Sequence, residues 1–238
     1  MEHRADHVPE PVVIPADGER LPGILTLPPE PFGLVIFAHG SNSSRFSARN
    51  RFVAEILVNA GYGTLLFDLL TDPEGRDRAK VFDIPLLAGR LERATAWASR
   101  YPATADLPIG YFGASTGAAA ALVAAADLAR VRAIVSRGGR PDLAGDALRR
   151  VTAPTLLIAG GADSPVIALN RDARERLGGK TRLVVVPGAT HLFEEPGALE
   201  TVAHLAARWF GRFLAALPPH AALPASDQRE AHEPGRIG

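Results

Sequence analysis

Leu107-Pro108-Ile109-Gly110-Tyr111-Phe112 runs straight into Gly113-Ala114-Ser115-Thr116-Gly117, and from Ala118 to Arg130 the chain is an Ala-rich segment. The first six residues read as a buried strand and the last thirteen as a helix, so the pentapeptide between them is a strand-to-helix turn carrying a serine at its tip. That context gives the Gly-x-Ser-x-Gly pattern its meaning. The turn is so sharp that a Cβ two residues to either side of the serine would collide with neighbouring backbone, which calls for glycine at 113 and 117. The competing reading is a small-residue turn that packs a helix onto a sheet.

Two further strand ends separate these readings. Ala153-Pro154-Thr155-Leu156-Leu157-Ile158-Ala159 is a buried-type strand ending in Gly160-Gly161-Ala162-Asp163, and Thr181 to Val186 is a strand ending in Pro187-Gly188-Ala189-Thr190-His191. A carboxylate and an imidazole therefore each fall just past a strand terminus. In an open parallel sheet the C-terminal strand ends share one edge, and sites form there. Ser115, Asp163 and His191 thus converge, in the chain order serine, acid, histidine.

With these residues the chain resembles an α/β-hydrolase. His39-Gly40-Ser41-Asn42-Ser43-Ser44-Arg45, then Ala48-Arg49-Asn50-Arg51 and Leu66-Phe67-Asp68-Leu69-Leu70-Thr71, resemble the dienelactone-hydrolase-like branch, over roughly residues 12–214. The name-giving dienelactone hydrolases use cysteine as nucleophile. This chain has no cysteine and carries Ser115 in that place, which argues against dienelactone itself as substrate.

The resemblance implies serine hydrolysis of carboxylic esters or related acyl compounds, with phosphoesters and lactones as further electrophiles. His191 takes the Ser115 proton during attack and returns it to the leaving group, and Asp163 holds the imidazole in the right tautomer. The tetrahedral oxyanion needs two preorganised donors. One is the Thr116 backbone N–H; the other comes from the loop after the strand Gly33 to Ala38, at Ser41, whose side chain is not required. An acyltransferase using the same acyl-enzyme, or a non-catalytic binding protein on this fold, is the alternative.

Other residues have two readings each. Asp142 rivals Asp163 as the acid, one strand earlier. His39 either braces the loop it opens or faces substrate. Arg137 and Arg140 flank a glycine pair on the active edge, so they either hold a substrate carboxylate or pair with Asp142 or Asp146. Asp68 reads as a helix cap or loop anchor, and Arg45, Arg49 and Arg51 as a solvated or loop-bracing set. His204 is mid-helix and faces solvent. No group of His and carboxylates has metal-ligand spacing, and no cofactor is expected.

The spacing predicts a mostly parallel sheet of about eight strands, with an N-terminal antiparallel hairpin and helices on both faces. Val8 to Ile14 and Leu21 to Leu27 form the hairpin around Pro15 to Glu19. A helix follows over Ser47 to Ala60 with Phe52, Val53, Ile56, Leu57 and Ala60 inward. Gly63 to Phe67 is a strand, Thr71 to Arg78 a polar excursion, and Leu86 to Arg100 a helix. Val131 to Val135 is a strand ahead of a short helix, and Ala198 to Leu214 is the last helix. It packs on the sheet through Leu199, Val202, Ala206, Trp209, Phe210 and Phe213.

The 238 residues suffice for one domain, read as residues 1–216, with 217–238 a polar, Pro-containing tail without a core. Lys plus Arg equals Asp plus Glu at 26 each, so net charge gives no bulk attraction to nucleic acid or an anionic membrane. Absence of cysteine fits a reducing compartment, and the polar start from Met1 to Glu10 lacks a signal-peptide core, so a cytoplasmic location is expected. No apolar run reaches membrane-spanning length. The expected partner is a small ester, with homodimer formation left open.

Overall fold

The computed structural model describes residues 7–214. The tail read over 217–238 lies outside the described residues. Eight strands form one sheet in the order β1-β2-β4-β3-β5-β6-β7-β8. β1 (Glu10–Ala16) and β2 (Glu19–Thr26) are antiparallel, as are β2 and β4 (Gly63–Phe67). All other pairings, through β3 (Leu34–Ala38), β5 (Ile109–Ala114), β6 (Val131–Arg137), β7 (Thr155–Gly160) and β8 (Thr181–Val186), are parallel.

The burial of each strand follows its place. β3, β4, β5 and β7 are buried at every residue, as parallel strands covered on both faces must be. β1 alternates exposed and buried, having a covered face and a wet one. Asp17 and Gly18, both at positive φ, make the tight turn between β1 and β2.

α1 (Ala48–Asn59) and α7 (Ala198–Phe213) cover one face; α4 (Ile84–Ala98) and α5 (Thr116–Ala126) cover the other. β3 leads into α1 and β5 into α5, so connections leave these adjacent strands toward opposite faces. The crevice between β3 and β5 is therefore where an open α/β sheet binds ligands. The oxyanion loop predicted after β3 and the serine predicted after β5 both open into it.

Two expectations are corrected, and one helix had not been expected. The inward face of α1 is Asn50, Val53, Ala54, Leu57 and Val58, while Phe52 is 40% exposed. Two neighbouring apolar stripes satisfy the helical period, and packing against α7 selects between them. The excursion after Leu70 folds into two one-turn helices, α2 (Asp72–Gly75) and α3 (Arg78–Val81). A capping box closes α2, with the Thr71 N–H donating to Glu74 at 2.9 Å. Buried Glu74 also accepts from Arg90 at 3.2 Å and from Lys80 at 3.3 Å, so this segment is anchored rather than loose. Finally, Ser164–Arg176 is a helix, α6, that the apolar periodicity did not announce. Its buried residues are only Val166, Asn170 and Ala173.

The short helix after β6 is a 3-10 segment over Pro141–Arg150, kinked at Gly145 where φ is 54°.

Candidate active site

Ser115 sits between β5 and α5 with φ 52° and ψ −121°, a conformation costly for a residue with a Cβ and characteristic of functional turns. A Cβ on Gly113 would stand 2.5 Å from Ala118 Cα, and one on Gly117 would overlap the Ala38 carbonyl oxygen. Glycine is required at both positions for the reason the sequence suggested. The turn is tied to β6: Ser115 N–H donates to Arg137 O at 3.2 Å, and Arg140 N–H donates to Ser115 O at 3.1 Å. Thr116 is the first residue of α5, where a backbone N–H has no intrahelical acceptor.

His191 Nδ1 and Asp163 Oδ2 are 2.8 Å apart, the Nδ1–H donating, with the carboxylate nearly covered and the imidazole partly exposed. Asp163 occupies the N-cap position of α6 but makes no side-chain cap, which leaves its carboxylate for the imidazole. Their loops are locked by Ala162 N–H donating to Ala189 O at 2.9 Å. A Cβ on Gly138, the residue after Arg137, would lie 3.5 Å from His191 Cε1. The imidazole thus rests against the same β6 terminus that holds the Ser115 turn. Asp142 is instead engaged by Arg140 in a two-point pair at 2.9 and 2.7 Å, so it does not serve His191.

Toward β3, a Cβ on Gly40 would stand 3.1 Å from Ser115 Cβ, so this loop passes directly over the serine. Ser41 N–H donates to Thr116 Oγ1 at 2.9 Å. His39 is buried and uses both ring nitrogens on backbone: Nδ1–H donates to Gly40 O at 2.9 Å, and Nε2 accepts from Leu69 N–H at 3.0 Å. Of the two readings of His39, these bonds favour the one in which it braces the loop. Burial holds the imidazole below its ordinary pKa. Asp68 anchors the loop by accepting from Arg45, at 2.6 Å from its N–H and again from its guanidinium. A cavity of about 400 Å³ opens between this loop and α2, bounded by Ser41, Asn42, Ser43, Leu69 and Arg76.

The two candidate arginines part company. Arg140 is spent on Asp142. Arg137 is 7% exposed, its guanidinium lies 6.0 Å from the Phe193 ring centre, and no carboxylate of the described residues is within ion-pair distance. Its Nε and that of Arg49 are both buried without a partner. Burial, with the neighbouring Arg49 charge, pushes Arg137 down to about 10, so it stays charged at neutral pH. Arg49 reaches Glu194 at 2.8 Å through Nη1.

Two positions escaped the sequence reading. Asn170, buried on α6, donates to Gly139 O at 3.0 Å and holds the loop that carries Arg137 and Gly138. Its signal was available, a polar residue in line with Val166 and Ala173. Phe193, 1% exposed at φ 57°, supports the His191 loop and had no such signal.

Among the described residues no group of three His, Cys, Asp or Glu could hold a metal, and no helix is long and apolar enough to cross a membrane.

Comparison with known proteins places the fold and the family. The solved dienelactone hydrolase of Anabaena variabilis is 55% identical with a TM-score of 0.86, over 87% of this chain and 99% of that one. Est1E of Butyrivibrio proteoclasticus, at 18% identity and a TM-score of 0.73 over 85% and 98% of the two chains, shares the fold. A Mycobacterium tuberculosis protein named as a phosphoribosyl transferase is 66% identical over 189 residues, 79% of this chain. The chain spans only 43% of that relative's length. The dienelactone hydrolase family model matches residues 21–220, and the chain belongs to that family.

Proposed function

We propose that this chain is a serine hydrolase of carboxylic esters, with Ser115 as nucleophile, His191 as general base and acid, and Asp163 as the residue that orients His191. The observation that carries this reading is the Asp163–His191 hydrogen bond, set against the β6 terminus to which the Ser115 turn is itself bonded. Ser115 Oγ adds to the ester carbonyl, its proton passes to His191 Nε2, and the carbonyl electron pair moves to oxygen. Collapse breaks the bond to the alcohol, which leaves with the proton from His191. Water then repeats the sequence on the acyl-enzyme. The Thr116 backbone N–H, an unpaired donor at the start of α5, is one oxyanion donor.

Arg137, with Arg49 beside it, is the group proposed to read negative charge on the substrate. A guanidinium buried without a counter-ion costs several kcal/mol, on the order of what an anionic substituent would recover. Arg140 is left out of that role.

The test is ester turnover by the full chain and by Ser115→Ala. The wild-type protein should hydrolyse a short-chain chromogenic ester and be labelled by a fluorophosphonate at Ser115. The variant should fold normally and do neither. Turnover by the variant at the wild-type rate overturns the mechanism, and product partitioning with an added alcohol separates hydrolysis from acyl transfer.

A further inference from the structure

The second oxyanion donor expected from the β3 loop is not free. Ser41 N–H is directed at Thr116 Oγ1, 2.9 Å away, across a sequence separation of 75 residues. Thr116 is 3% exposed and Ser41 half-buried, so the bond sits at the inner wall of the cleft. A hydroxyl has one proton and two lone pairs. Here one lone pair is occupied by Ser41 N–H, while the hydroxyl's own proton meets no acceptor among the described residues. The hydroxyl proton is therefore left available to a group that enters the cleft. This hydroxyl lies on the residue directly after Ser115, on the side where the β3 loop crosses the serine.

From this geometry we infer that the Thr116 side-chain hydroxyl is itself a catalytic oxyanion donor, with Ser41 N–H acting behind it. The hydroxyl donates a hydrogen bond to the carbonyl oxygen as negative charge develops there. No proton is transferred from it, since the only proton moving in the step goes from Ser115 Oγ to His191. Ser41 N–H fixes the position of Oγ1 and polarises the hydroxyl, as successive hydrogen bonds do in a low-dielectric site. The hole is then built chiefly from one residue, the backbone N–H and the side-chain O–H of Thr116, and the β3 loop tunes it indirectly. The same bond ties the loop to the N-terminus of α5 and keeps the two donors preorganised before substrate arrives.

This inference rests on the hydrolase reading above, and its test separates the two. kcat and KM for a neutral chromogenic ester are measured for the full chain and for Thr116→Val, Thr116→Ala and Thr116→Ser. Removing the hydroxyl while keeping the shape, in the Val variant, should lower kcat about 100-fold with KM changed less than about threefold, the size seen when one oxyanion donor is lost. The Ser variant, which keeps the hydroxyl, should stay within about fivefold of wild type. If the Val variant does not fold, the Ala variant carries the same comparison against Ser. Wild-type kcat in Val or Ala, with Ser115→Ala inactive, overturns the role of the hydroxyl and leaves the serine mechanism standing. Equal losses in Ser and Val trace the effect to packing and also overturn it.

Discussion

Asp163 and Asp142 occupy equivalent loops after neighbouring strands, and their surroundings give them different work. Asp163 is joined to His191, whereas Asp142 is held at two points by Arg140. Asp163→Asn should therefore lose about four orders of magnitude in kcat through loss of tautomer control, and Asp142→Asn should lose less than about tenfold. Steady-state kinetics decides this, and the opposite ranking would move the acid. A similar contrast applies to the arginines. Arg137→Gln should raise KM for an ester bearing a free acid group about 10- to 100-fold, the worth of a hydrogen bond to a charged group, and spare the neutral analogue. Arg140→Gln should affect both substrates equally. His39 supplies a pH dependence of stability. Its native pKa lies below the ordinary 6.5 because burial disfavours the charged imidazole. Below that value the unfolded chain binds a proton that the native one refuses, so this contribution is full above about pH 6.5 and is lost as pH falls. Melting temperature should fall on acidification toward pH 5 with a shallower slope in His39→Gln.

At the scale of elements, α2 and α3 are short enough to be unstable alone, and their order comes from what they touch. Glu74 binds the Thr71 backbone and Arg90, and Arg90 in turn donates to Ala16 O at 2.6 Å, linking the segment to α4 and β1. Glu74→Gln should cost about 2 kcal/mol, readable in urea unfolding, because it strips a nearly buried guanidinium of its counter-charge. The same segment bounds the 400 Å³ cavity beside the loop after β3. The substitution should accordingly shift the preference among esters as well as lower stability. Unchanged selectivity with reduced stability would make α2 and α3 scaffold only.

Over the whole molecule the sheet sorts stability by position. β5 and α5 lie at the centre, with all of β5 and nearly all of α5 buried. Their amides should be the slowest to exchange with deuterium, and those of α2 and α3 among the fastest. The parts legible in the sequence were those set by local chemistry. Continuous apolar runs meant doubly covered strands, Gly113 and Gly117 meant a turn with no room for a Cβ, and Asp163 and His191 each stood just past a strand end. β4 and the tip of the serine turn fell where the residues had put them because a buried strand and a steric clash are properties of a few neighbouring side chains. Helix α6 went unread because its charged face outweighs three buried positions. The inward face of α1 was misread because two overlapping stripes fit the helical period, and packing against α7 and β4 discriminates them. The partners of Arg137, Arg140, His39 and the Thr116 hydroxyl were open for a related reason. Each depends on which group another strand or loop brings within about 3 Å, a distance decided by sheet order and loop packing. Sequence determined which residues reach the active edge; tertiary structure alone decided which of them are already spent on the protein and which are left for a substrate.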